Sequence, residues 1–200
     1  MTVAVAPAGR ADVKPLARVL GRAFFDDPVM MWMLPDDTRR ARALPRIFAA
    51  MTRHHFLAGE AAEIASRDGT LGAAALWDPP GRWKQTPREE MRMMPAMLLA
   101  MGRHARRGQA MAELMKQQHP EEPHWYLGVI GSDPTVRGAG LGWALMESRL
   151  NRCDAEGAPA YLESTKETNL GYYARFGFEV TGELTIPGGP PIWQMWRQPR

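Results

Sequence analysis

Three glycines within five residues, Gly138, Gly140 and Gly142, constrain this chain most. They lie in Arg137-Gly138-Ala139-Gly140-Leu141-Gly142. On one side His124 to Gly131 reads as a strand that Pro134 terminates, and on the other Leu141 to Glu156 reads as a helix. A strand feeding a helix through a glycine turn is an α/β unit. Glycine permits positive φ and removes the Cβ from a ligand's path. Successive N–H groups can then face one concavity, and the helix adds the positive end of its dipole. That suits a diphosphate, with Arg137 able to add a charge-assisted contact. Two other phosphate loops do not fit. The dinucleotide fingerprint needs a glycine where Trp143 stands, and the Walker loop needs Gly-Lys-Ser/Thr.

The rest of the chain supplies elements around that unit. Thr2 to Ala6 reads as a strand. Asp12 opens a helix with Val13, Leu16, Ala17, Leu20 and Phe24 on one face, ended by Asp26-Asp27-Pro28. Asp37 to Leu57 reads as a second helix, with Pro45 able to kink it. Glu60 to Ser66 and Thr70 to Trp77 read as a hairpin turned at Asp68-Gly69. Pro87 to Gln118 is helical and methionine-rich; core packing or a pliable apolar substrate wall both account for that. Gly128 and Gly131 predict a bulge or a close backbone approach. The stripe Trp143, Met146, Leu150 and Cys153 marks the buried face of the helix after the loop. Ala160 to Ser164, Phe178 to Leu184 and Ile192 to Arg197 read as strands, and Glu167 to Phe176 as a short helix stopped by Gly177.

Two hundred residues with no internal repeat or linker fit one domain, residues 1–200, with a helical insert at about 82–118. No apolar run approaches the roughly 20 residues of a membrane helix. The N-terminus lacks a signal-peptide pattern, and Cys153 is the only cysteine, so a reducing, cytoplasmic setting is expected. No disulfide and no metal site are expected. Net charge is +3, too small to suggest nucleic-acid binding. Between Arg82 and Lys116, eight Lys/Arg face three acids, which reads as a solvated helix face or as a surface for a phosphate-rich ligand.

A second motif, Asn169-Leu170-Gly171-Tyr172-Tyr173-Ala174-Arg175-Phe176-Gly177-Phe178, stands downstream of the first. Together they resemble the GNAT superfamily of N-acetyltransferases, in order and in spacing. The resemblance implies an α/β (α+β) fold: a mixed, mostly antiparallel sheet flanked by helices, with splayed central strands. It implies acetyl-CoA as co-substrate, entering where Val129 to Ser132 parts from Ala160 to Ser164. Backbone of Ile130, Gly131 and Ser132 would meet the pantetheine arm. Arg137, Gly138, Ala139, Gly140, Leu141 and Gly142 would hold the pyrophosphate, and Asn169 would hydrogen-bond the cofactor. Tyr173, four residues before Gly177-Phe178, would face the sulfur, whereas Tyr172 is expected only to pack. The family usually has an aliphatic residue where Ser132 stands. The pattern is closest to the puromycin N-acetyltransferase branch, through Glu122-Pro123-His124-Trp125-Tyr126-Leu127 and Leu162-Glu163-Ser164-Thr165. Phe24-x-Asp26-Asp27-Pro28 matches in the N-terminal half.

An alkylamine, with a pKa of about 10, must lose a proton before it attacks a thioester. Glu122 is the first candidate base, then His124 and Asp27; surface solvation is the plain reading of each. Asp27, Trp32, His124 and Tyr126 are expected on the acceptor side. Tyr173 would protonate the leaving thiolate, and N–H groups near Ile130 would stabilise the acyl oxygen. Cys153 lies on a helix stripe and is not expected to act as a nucleophile. The expected acceptor is a small-molecule primary amine, with a protein lysine or N-terminus as the alternative. A non-catalytic acetyl-CoA sensor is the third reading. No nucleic acid or membrane partner is expected, and the chain is expected to be a monomer or homodimer.

Overall fold

The computed structural model describes residues 2–200. Seven strands form one sheet in the order β1-β2-β3-β4-β5-β7-β6. They are β1 (Val3–Pro7), β2 (Ala62–Arg67), β3 (Thr70–Asp78), β4 (Trp125–Ser132), β5 (Ala160–Ser164), β6 (Glu179–Thr185) and β7 (Pro191–Arg197). Every neighbouring pair is antiparallel except β4–β5. The expected mixed, mostly antiparallel sheet flanked by helices is what the chain forms.

One face is covered by α1 (Val13–Ala23), α2 (Pro28–Met33), α3 (Asp37–His54), α4 (Pro87–Met101) and α5 (Ala105–Gln118). Leu16, Leu20, Leu44, Phe48 and Val129 lie in its core. The other face is covered by α6 (Leu141–Ala155) and α7 (Leu170–Ala174), where Trp77, Trp125, Leu145, Leu150 and Phe178 pack. The apolar spacing on α1 is realised: Val13, Leu16, Ala17 and Leu20 are all buried. Gly21 lets α3 approach closely, since a Cβ there would lie 2.8 Å from the Pro45 ring. Helix α3 runs on through Pro45.

Three local readings change. Asp27-Pro28 ends the first helix but also begins α2: Asp27 caps it and Pro28 takes the first turn, where a missing N–H costs nothing. The methionine-rich segment is two helices, parted at Gly102 with φ +50°. On α6 the buried positions are Leu141, Leu145, Met146, Arg149, Leu150 and Cys153. Trp143 is 38% exposed, because it stands at the edge of that buried arc, roughly 110° from its centre.

The Asp68-Gly69 turn has positive φ at both residues, as a two-residue hairpin requires. In β4, Val129 pairs with Leu76 and Leu127 with Trp77, so Gly128 is the extra residue of a bulge. Gly131 is the close approach: a Cβ there would fall 2.8 Å from Ala23. The parallel β4–β5 ladder ends at Leu127 and Leu162. Beyond that pair the β4–β5 ladder stops, and the residues there are the candidates for a site.

Candidate active site

The glycine loop stands at the open end of β4. Gly138 and Gly140 have φ of +82° and +81°, and a side chain at either would meet open space. Both features fit a backbone cradle rather than a packed turn. Gly140 is the residue just before α6, so the helix N-terminus points into the same region. Arg137 is exposed and faces Asp26 at 3.8 Å, while Lys166 reaches the same Asp26 oxygen at 2.8 Å. Such exposed pairs are weak, so an incoming phosphate can compete for both cations. Asp133 holds the strand end in place: it accepts from Thr135 and is gripped by Arg22. Ile130, Gly131 and Ser132 occupy the β4 segment beyond the bulge, antiparallel to Ala73–Ala75 of β3.

Tyr172 and Tyr173 differ in a way that spacing alone does not reveal. The Tyr172 hydroxyl is buried without a hydrogen-bond partner. It lies 3.3 Å from where a Gly142 Cβ would stand, and Ser132 Oγ lies 3.4 Å from the same point. Burial pushes the Tyr172 phenol up to about 12. An orphaned buried hydroxyl beside a glycine cradle fits a bound polar group, and acetyl-CoA is of the right chemistry. Tyr173 packs against Phe178. Burial, then Tyr172 and Asp27, raise its phenol pKa, so it is a held proton. Asn169 precedes α7, is exposed, and makes no side-chain cap.

The acceptor-side expectations separate into three places. Asp27 is buried, not solvated. One oxygen accepts from Val29 and Met30 N–H at 3.0 and 3.1 Å, and the other accepts from the Thr165 hydroxyl. Burial raises its pKa despite these bonds. Its carboxylate is thus engaged as a cap and a brace between α2 and the end of β5. Trp32 sits at a joint, its carbonyl accepting from Arg107 at 2.7 Å and its ring under the same guanidinium. Glu122 is exposed; only its main-chain carbonyl is engaged, by His124 Nδ1 at 2.5 Å. It precedes β4, at the paired end of the strands rather than the open end. Cys153 is buried and its thiol is pushed up to about 12 by that burial, which suits core packing.

His124 and Tyr126 do meet, around a residue that sequence reasoning passed over. Glu163 is the first β5 residue beyond the last β4–β5 pair. Its side chain is 2% exposed. Tyr161 donates to Glu163 Oε1 at 3.0 Å and accepts from Gln194 at 2.9 Å. His119 Nδ1 lies 3.8 Å from the same oxygen, and Oε2 is buried without a partner. Tyr126 borders this carboxylate. Burial and Glu163 raise its phenol far above the usual range. The signal was present in the strand period: Tyr161 and Glu163 alternate with buried Ala160 and Leu162 of the other face.

Residues 50–178 match the Acetyltransferase (GNAT) family. The chain belongs to the GNAT family of acetyltransferases. An N-acetyltransferase of Schizosaccharomyces pombe, itself uncharacterised, is 28% identical over 180 residues, covering 84% of this chain and 70% of that one. Among solved structures, one described as histone acetyltransferase HPA2 and related acetyltransferase, from Corynebacterium glutamicum, is 25% identical. It has a TM-score of 0.73 and covers 100% of this chain and 98% of that one. The polyamine N-acetyltransferase of Drosophila melanogaster shares the fold, with a TM-score of 0.65 at 13% identity over 98% of this chain and 100% of that one. GNAT members use acetyl-CoA as acetyl donor, and the match with the family spans the glycine loop, both tyrosines and Glu163. No helix among the described residues is long and apolar enough to cross a membrane.

Proposed function

We propose that this enzyme transfers an acetyl group from acetyl-CoA to the primary amine of a small molecule, with Glu163 as the base. One observation carries the reading: a buried carboxylate with one unpartnered oxygen stands where β4 and β5 begin to part. An unpaired buried carboxylate is costly, and an ammonium group relieves that cost. When bound, acetyl-CoA supplies the thioester and the leaving thiolate. Glu163 Oε2 holds the ammonium and takes its proton. Tyr161 donates its hydroxyl to the other oxygen, Oε1, and Tyr126 borders the carboxylate. Backbone N–H groups beyond the Gly128 bulge serve the acyl oxygen, and Tyr173 gives its proton to the thiolate.

Glu163 lies beneath His119, which stacks on Trp83 with ring centroids 3.7 Å apart. A carboxylate so covered favours a compact amine over a lysine presented on a protein surface. The branch suggested by the Glu122–Leu127 and Leu162–Thr165 segments agrees with that choice. The test is CoA release with a panel of small primary amines beside lysine peptides. Small amines are expected to turn over and Glu163→Gln to lose about 10²–10⁴-fold in kcat with acetyl-CoA binding kept. Turnover restricted to peptides overturns the acceptor class, and full activity in Glu163→Gln overturns the base.

A further inference from the structure

His119 and His124 come from different elements, the end of α5 and the approach to β4, and both are buried. Their Nε2 atoms lie 3.0 Å apart. His124 Nδ1 lies 2.5 Å from the Glu122 carbonyl, which can only accept, so His124 carries its proton on Nδ1. Its burial, partly opposed by the Glu122 bond, lowers its pKa and favours the neutral ring. The Nε2 of a neutral ring protonated on Nδ1 is an acceptor, so His119 must donate from Nε2. A neutral His119 then turns the lone pair of Nδ1 toward Glu163 Oε1, 3.8 Å away. Two acceptors face each other, and the gap has room for one proton.

We propose that His119 and Glu163 form a shared proton-accepting site for the acceptor amine, with His124 as the positioning residue that fixes the His119 tautomer. The inference rests on the amine-acetylating reading above. An alkylammonium gives its proton to the Glu163 carboxylate, leaving a neutral amine and a carboxylic acid. A turn of the carboxyl group brings that proton from the Oε2 side to the His119 side, and the acid passes it to Nδ1, which becomes an imidazolium and keeps its Nε2–H on His124. The carboxylate is restored while the amine attacks. His119 also borders a surface cavity of about 330 Å³ lined by Trp83, Lys84, Lys116 and Glu121 among others, through which the proton leaves to water. The charged groups around the pair are thus Glu163 within, and Lys84, Lys116 and Glu121 on the cavity side. On the inner side, the rings of Tyr126 and Tyr161 meet His119 edge-on.

Two measurements test this. In protein labelled with ¹⁵N in its histidines, ring spectra are expected to show His124 as the Nδ1–H tautomer and His119 as Nε2–H when neutral. A His124 ring protonated on Nε2, or a neutral His119 protonated on Nδ1, overturns the proposal. The second measurement compares ethylamine, protonated at neutral pH, with 2,2,2-trifluoroethylamine, which is largely unprotonated. His119→Asn and His124→Gln are expected to lower kcat for ethylamine about 10-fold or more. The loss with trifluoroethylamine should be at least several-fold smaller, and acetyl-CoA binding should be kept. Equal losses for both amines overturn the proton role. If the wild type binds acetyl-CoA but acetylates no amine, the enzyme reading fails, and the ring spectra still decide the proton pair.

Discussion

Tyr172 and Gly142 meet between α7 and α6: the tyrosine hydroxyl lies 3.3 Å from where a Gly142 side chain would begin. That hydroxyl is buried and has no partner. Sequence spacing casts Tyr172 as packing only, so that Tyr172→Phe should be silent. The buried, unpartnered hydroxyl beside the glycine loop instead supports a proposed contact with the donor. Tyr172→Phe is therefore expected to weaken acetyl-CoA about 3- to 10-fold, the worth of one net hydrogen bond of ~0.5–1.5 kcal/mol. Melting temperature should hold or rise slightly, because an unsatisfied buried hydroxyl is removed. Calorimetric titration with acetyl-CoA checks this, and an unchanged dissociation constant would show the hydroxyl to be idle.

Gly140→Asp separates backbone strain from ligand repulsion. Gly140 sits at φ +81° with open space beyond it, and Gly69 is alike at φ +79° but lies in the β2–β3 hairpin. Each substitution forces a side chain into the left-handed region at roughly 1–2 kcal/mol. Similar falls in melting temperature are expected for both. Only Gly140→Asp places a carboxylate where a diphosphate should sit, a short-range repulsion of a few kcal/mol. Its dissociation constant for acetyl-CoA should rise on the order of 100-fold, while Gly69→Asp binds as the wild type does.

Tyr173→Phe keeps the ring against Phe178 and removes only the hydroxyl. Folding and donor binding are expected to be retained. Turnover should fall about 10²–10⁴-fold, mainly in kcat, because the proton matters as thiolate charge develops. A kcat within twofold of wild type would remove Tyr173 from the proton-donor role.

Of the two motifs proposed for the donor side, the glycine loop was legible from backbone geometry and the tyrosine helix from family resemblance. Positive φ favours glycine at Gly138 and Gly140, whereas the parting of β4 from β5 was expected from the resemblance and is seen in the ladder that ends at Leu127 and Leu162. The proposed acceptor side was less legible because its residues come from distant elements. Glu163 carries no local mark beyond strand alternation; what distinguishes it is burial by His119, from 44 positions upstream, and the end of the β4–β5 ladder. Asp27 was visible as a helix stop, but the same Asp-Pro pair also starts α2, and a stop and a start share one signature. Glu122 drew attention through its place in the Glu-Pro segment, yet only its carbonyl is used.

His55 ties the end of β3 to the start of α4, and its charge sets a pH dependence of stability. Its Nε2 lies 3.0 Å from Asp78 Oδ2, and its Nδ1 lies 3.5 Å from Glu89 Oε2, a charge contact rather than a hydrogen bond. Burial pulls the His55 pKa down, but the Asp78 bond and the charges of Asp78 and Glu89 outweigh it, and the net shift is upward. The folded state therefore binds this proton more tightly than the unfolded chain does. The resulting stability is fully present below the unfolded value of about 6.5 and is lost as pH rises through the higher folded value. Asp78, also raised by burial, slopes the same way at lower pH. His55→Gln can still donate to Asp78 but cannot titrate. The difference in melting temperature between wild type and His55→Gln is thus expected to be larger at pH 6 than at pH 8.5. Hydrogen exchange at the first turn of α4, which Glu89 and Thr86 cap reciprocally, should follow the same trend in the wild type. A difference that grows with pH would mean that His55 is neutral between its two carboxylates.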